Sequence, residues 1–255
     1  MTVAAFDVSD PQWQVTEEHK PDKESTWKHS LEQDGWVHAH NSLRGEIQDL
    51  TNAFGSIMQK FPEGAPRWAV ESVKKVWSAH HSHVKSHHAN EEDIMVPFME
   101  TRCRMPPRIM ESQHLAISDS IYNVTNAVNK LEVGASLIYV HAAFQGYTHV
   151  ILPHLEEEEK ISLPLLRAYF TPKEAKTPTL KIFVKGIPIE KGSFVHYMSE
   201  EKFREGFMKQ EAIPYLIWLV VFKPKYQHYL KHVICHIDAL KAGEEALGAG
   251  CFRFL

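Results

Sequence analysis

The sequence predicts an all-α protein: an up-down-up-down four-helix bundle with a polar N-terminal arm and a helical C-terminal extension. Two observations carry that prediction. Apolar residues recur with 3.6-residue spacing over four long segments between residues 31 and 172. Short breaker clusters, PEGAP at 62–66, MPP at 105–107 and the region of Gly134, separate those segments, and short connections place consecutive helices antiparallel.

Residues 1–30 are polar, carry Pro11 and Pro21 and show no sustained apolar period, so they read as an arm pinned by Trp13 or Trp27. In the first helix Trp36, Leu43, Ile47, Leu50 and Phe54 form the apolar stripe, with His40 on its margin and His38 on the far side. The second helix has Val73, Trp77, Val84, Ile94 and Phe98 on one face. At about 100° per residue, His87 and Glu91 fall within that face, whereas His88 and Glu92 turn toward its edge. Met110, Ile117, Ile121, Val124 and Val128 line the third helix beside His114. Phe144, Val150, Ile151, Ile161 and Leu165 line the fourth, with His154 and Glu158 inside the stripe and Glu156 outside it. Pro153 sits in mid-helix, where proline costs about 3 kcal/mol, and predicts a kink that aims His154. Past Phe170 the stretch TPKEAKTPTLKIFVKGIPIEKG reads as a linker, and helical patterns return over 199–241. The expected divisions are an arm at 1–30, a metal-binding bundle at 31–172, and a linker with helical extension at 173–255.

Composition narrows the function. The formal charge of −4, from 28 basic and 32 acidic residues, creates no polyanion-seeking field and argues against a nucleic-acid partner. No basic leader and no run of about 18 apolar residues is present, so neither a secretory signal nor a membrane span is expected, and a cytoplasmic protein is. Cys103, Cys235 and Cys251 form no CxxC pair and no even disulfide framework. The 17 histidines, in contrast, are roughly three times the ordinary share for this length.

Histidine and carboxylate at i and i+4 share one helix face and can reach one cation. Chance alone gives about two such pairs here, and the chain has four, of which His196 with Glu200 lies outside the bundle. Two recur in a shared frame: HHANEEDIMVP at 87–97 and HLEEEEKISLP at 154–164 both read HxxxEExIxxP. His40 and His114 each supply a lone histidine from the intervening helices. His40, His87, Glu91, His114, His154 and Glu158 therefore converge from four helices. Burying four imidazoles and two carboxylates without a partner costs several kcal/mol, and a metal supplies the partner. Imidazole with carboxylate and no thiolate suits iron, manganese or zinc, and two carboxylates able to bridge favour a dinuclear iron site. A ferritin-like carboxylate site needs a second ExxH beside Glu111 and His114, and none exists. His80 and His83 read as surface or supporting groups and Tyr147 as a core aromatic or a hydrogen-bond donor to a bound ligand. His228, His232 and His236 read as a solvated face.

At HNSLR (40–44), HHANEEDIMVP, QHLAI (113–117) and LPHLEEEE (152–159) the chain resembles the hemerythrin family, particularly its HHE cation-binding branch, over roughly 35–170. The resemblance implies two oxo- or hydroxo-bridged iron ions held by His40, His87, Glu91, His114, His154 and Glu158, with both glutamates bridging. Oxygen-carrying members add a histidine one turn after the third-helix histidine, where this chain has Ser118, which implies an open coordination position there. His88 resembles a position that supplies an extra carboxylate ligand in an iron-sensing relative. The expected function is a diiron-binding protein that takes dioxygen, nitric oxide or peroxide, or senses iron or oxygen. The alternatives are a diiron oxidase or peroxidase, and an iron-dependent module that meets a protein partner through residues 173–255.

Overall fold

The computed structural model describes residues 7–14 and 26–245, and Cys251 lies outside them. Among the described residues the chain is helical, with a single antiparallel bridge between Gln14 and Cys103. Four long helices come first. Helix α1 is Gly35–Lys60; α2 is Arg67–Asn90, continued by a π-helical turn Glu91–Met95 and by Val96–Met99; α3 is His114–Asn129, led in by the π-helical stretch Arg108–Gln113; α4 is Ile138–Tyr169. Each packs on two of the others, α1 on α2, α2 on α3, α3 on α4 and α4 back on α1.

The ends of these helices follow from local chemistry. Asp34 caps α1 by accepting from the Trp36 N–H at 3.1 Å, satisfying one of the amides that a helix start leaves open. The same carboxylate accepts from Arg167 of α4 at 2.9 Å, and that guanidinium also donates to the carbonyls of His29 and Ser30. The end of the arm is thus tied to α4. Trp27 adds a hydrogen bond to the Phe170 carbonyl at 2.9 Å, and the Trp13 carbonyl accepts from the Arg104 N–H at 2.7 Å, so both tryptophans anchor it. Helix α4 runs unbroken through Pro153 and Pro164.

The stretch read from sequence as a linker is helical. Helix α5, Pro172–Lys185, and helix α6, Pro188–Met198, both begin with proline, which is tolerated at the first helical position because its missing N–H has no partner there anyway. Thr171 and Glu174 close a capping box at the start of α5. A count of prolines reads such a segment as broken; Pro172 and Pro188 instead start two helices, and α5 also holds Pro178 in its interior. Helix α7 joins Glu200–Lys202, Phe203–Phe207 and Met208–Gln210, and α8 runs from Tyr215–Ile217 through Trp218–Phe222, Lys223–Tyr229 and Leu230–Ile234 to Cys235–Ala242.

These later helices share the core of the first four. Tyr229, Val233, Ile234, Ile237 and Leu240 belong to the same buried cluster as Leu43, Leu50, Phe54, Val73, Ile121 and Phe144. Helix α6 lies so close to α1 and α8 that a Cβ on Gly45 would strike the Tyr197 ring, and one on Gly192 would strike Tyr229 and the Lys225 carbonyl. A separate aromatic cluster of Phe194, Phe203, Phe207, Trp218 and Phe222 forms between α6, α7 and α8, with Ala39 and Phe183 against it. No helix among the described residues is long and apolar enough to cross a membrane.

Candidate metal centre

The six residues expected to converge do so, and a seventh joins them. His40 comes from α1; His87 and His88 end α2, and Glu91 opens the π-turn that follows; His114 begins α3; His154 and Glu158 lie on α4. All seven are buried. They form two overlapping groups, each compact enough to hold a cation: His88, Glu91, His114 and His154, and His40, His87, Glu91 and Glu158.

The carboxylates connect the groups. Glu91 Oε1 lies 2.8 Å from His87 Nε2 and 3.8 Å from His40 Nε2, while its Oε2 faces His114 Nε2 at 3.7 Å. Glu158 Oε2 stands between His40 Nε2 at 3.4 Å and His154 Nε2 at 3.6 Å. Both glutamates therefore face histidines of either group.

The outer ring nitrogens explain why the inner ones point inward. His40 Nδ1 meets Glu159 at 2.9 Å, His114 Nδ1 meets Glu92 at 2.7 Å, and His154 Nδ1 meets the Gln113 side-chain oxygen Oε1 at 2.9 Å. Each partner accepts, so Nδ1 carries the proton; Nε2 of His114 and His154 keeps a free lone pair facing the centre, the orientation in which histidines bind metal, while that of His40 accepts from the Trp36 indole N–H. Arg44 in turn donates to Glu159 at 2.7 Å, and Gln113 donates to Glu157.

The centre itself is short of partners. Nε2 of His87, His88, His114 and His154 and all four oxygens of Glu91 and Glu158 are buried with no hydrogen bond. Groups so placed cost free energy unless something pairs with them, and a cation facing imidazole lone pairs and carboxylates does so. Burial, reinforced by neighbouring histidines against the pull of Glu91, lowers the pKa of His88 well below the ordinary value and that of His154 to about 3. Both are neutral near pH 7, as metal ligation requires. Burial also resists charge on His40, but Glu158, Glu159 and Glu91 raise its pKa well above normal. Burial and the Glu91 charge raise Glu158. Burial opposes ionisation of Glu91 as well, yet His87 and His40 hold its pKa low.

Three expectations need correction. His88 is not an edge residue: it is buried, its ring stacks on His114 at 4.1 Å and 13°, and it completes one group. Glu92 is exposed, as expected of the edge, yet orients His114. Ser118, where the resemblance implied an open coordination position, is exposed. Of the run Glu156–Glu159, Glu156 pairs with Lys160 on the surface, and the other three are drawn into the site or its supports. His228 and His232 face solvent as expected, while His236 meets Ser72.

Further along the same helices lies a second buried polar cluster. Glu46 accepts from His80 at 2.6 Å and from the Tyr229 hydroxyl at 2.9 Å, lies 3.1 Å from His83 Nδ1, and His80 Nε2 meets the Tyr147 hydroxyl at 2.8 Å. Tyr147 is thus a core aromatic whose hydroxyl is committed to His80.

A family model for the hemerythrin HHE cation-binding domain matches residues 32–166. The chain belongs to the hemerythrin HHE family. No curated protein and no solved structure gave a significant match. Within this hemerythrin-like domain, the matched span runs from just before the capped start of α1 into the last turn of α4 and contains every residue of both groups. Metal binding by the His and Glu clusters is the property that the family and the geometry share.

Proposed function

We propose that this hemerythrin-like protein holds two iron ions within an up-down-up-down bundle of α1–α4, and that one of them takes dioxygen or a related small ligand such as nitric oxide or peroxide. The reading rests on one observation: five histidines divide three and two between groups that share Glu91, with Glu158 Oε2 standing between His40 and His154. His88, His114 and His154 would hold one iron and His40 and His87 the other, with Glu91 and Glu158 bridging. Iron is favoured over zinc or manganese because paired carboxylate bridges serve a metal that changes charge, and iron supplies the electrons for oxygen chemistry. The metal with two histidines has fewer protein ligands, so the position for a small ligand lies on the His40–His87 side.

Trp36 supports that placement. Its indole N–H occupies the His40 Nε2 lone pair at 3.1 Å; a metal bound there would displace it and leave an N–H donor at the rim of that side. The test is metal analysis of the purified protein with anaerobic iron loading. Two irons per chain, with a visible absorption band that forms with oxygen and fades under vacuum, support reversible binding; irreversible oxidation with turnover supports an oxidase. One zinc, or no bound metal after loading, contradicts both.

A further inference from the structure

A cavity of about 140 Å³ lies between the candidate metal centre and the helices that follow it. Trp36, Ala39, His87 and Glu91 form one wall, and Phe183, Phe194, Phe207 and Phe222 of the later helices form the other. It meets only the two-histidine side of the centre, for His88, His114 and His154 do not line it. That space is far more than a diatomic needs: a water occupies roughly 30 Å³ of liquid, and an engineered cavity of roughly 150 Å³ in another protein takes up benzene.

The chemistry of the walls narrows the occupant. Beyond His87 and Glu91, which belong to the metal centre, the charged groups lining the cavity are committed: Asp34 to Arg167, Glu190 to Ser86 at 2.6 Å and to Asn90 Nδ2 at 2.9 Å, Lys191 to the Gly186 carbonyl, and Glu211 to Gln210. An ion entering would find no free countercharge among them. Outside the metal centre, one buried polar atom of the lining remains without a partner. Asn90 lines the cavity, is 4 % exposed, and its Oδ1 is buried without a partner. Its orientation follows from the bond to Glu190, because a carboxylate accepts and so selects the NH₂ group. The free atom is an acceptor and calls for a donor.

We propose that this cavity binds a neutral, mostly apolar organic molecule of about the size of phenol, with its hydroxyl or N–H donating to Asn90 Oδ1 and its body against the phenylalanine rings. Binding stands on the cavity alone; the placement of the molecule beside an iron rests on the proposed function. A carrier of diatomic gases has no need of such a site, whereas an enzyme that acts on an organic molecule does.

Phenol and benzene titrated calorimetrically into the full-length protein, both metal-free and iron-loaded, test it. Phenol binds at one per chain in both forms and at least tenfold more tightly than benzene. Ile182→Trp, which fills the cavity from α5, lowers phenol affinity at least tenfold while leaving iron content and helicity unchanged. Should that variant fold poorly, Phe194→Ala enlarges the space and admits 1-naphthol, which the wild type excludes. Absence of phenol binding, or equal affinity of wild type and a folded Ile182→Trp, overturns the site; phenol no tighter than benzene overturns the role of Asn90. Loss of the diiron reading shows separately, as missing iron with phenol binding intact.

Discussion

His88 is buried in the site where the phase of its helix put it at the edge, and Ser118, where the resemblance implied an open coordination position, is exposed. His88→Ala removes one of three imidazoles from its group and is expected to reduce bound iron from two to about one per chain; Ser118→Ala, on an exposed side chain, leaves it at two. Metal analysis of the two variants separates these outcomes. The other ligand candidates were legible because the HxxxE frame repeats and its residues fall in phase with apolar stripes. His88 was not, because α2 is covered on two flanks. Ser72 faces α8 through His236 while His88 stacks on α3, so adjacent positions 87 and 88 are both inside. The supporting residues Gln113, Glu92 and Glu159 were illegible for a different reason: each acts across helices, and no local spacing records the pairing.

Glu46 makes the second prediction at this scale. Burial pushes its pKa up, but His83 and His80 hold it well below the ordinary 4.5; burial pushes His83 down, but Glu46 raises it above 6.5. The depressed carboxylate contributes stability above pH 4.5, lost as pH falls toward its folded pKa. The raised histidine contributes stability below pH 6.5, lost as pH rises through its folded pKa. The cluster therefore contributes most between those two values. Glu46→Ala strands two buried histidines and is expected to cost about 3–5 kcal/mol in urea unfolding. Its stability also varies less with pH on either side of that window than the wild type's does.

At the level of elements, two of the five π-helical turns among the described residues border the site, and the other three interrupt α7 and α8. Glu91 begins a π-helical turn and His114 follows directly after another. Widened turns of this kind recur at functional sites. Pro97 follows the first, and proline removes an amide from the regular ladder, which gives that irregularity a cause in the sequence. The four long helices were readable from periodicity, and the boundaries at PEGAP and MPP hold. Helices α5 and α6 were missed because proline at a helix start looks, in composition, like proline in a loop. Their packing gives a prediction: Gly192→Ala places a methyl against Tyr229 and the Lys225 carbonyl, and such overpacking costs about 1–3 kcal/mol, measurable as a lower thermal midpoint.

Across the whole molecule, the extension completes the core and closes one side of the centre. Tyr229 reaches Glu46, and Val233, Ile237 and Leu240 sit in the cluster of α1–α4. Full burial of side chains like these contributes about 1.5–3 kcal/mol each. Removal of residues after Met198 is therefore expected to lower the thermal midpoint by more than roughly 10 °C, since each kcal/mol is worth about 2–4 °C at this size. An unchanged midpoint would show that the matched hemerythrin-like span is stable without α7 and α8. Nothing in the periodicity of residues 199–241 says where their apolar face docks, so this dependence was not readable from sequence.

The most direct test of the central claim is the iron content of wild type and Glu91→Ala after the same anaerobic loading. Glu91 is the one residue common to both groups. The wild type should retain two irons per chain and Glu91→Ala fewer than one, with its helicity intact. Equal metal content in the two proteins, or a wild type that holds no iron, would contradict the account.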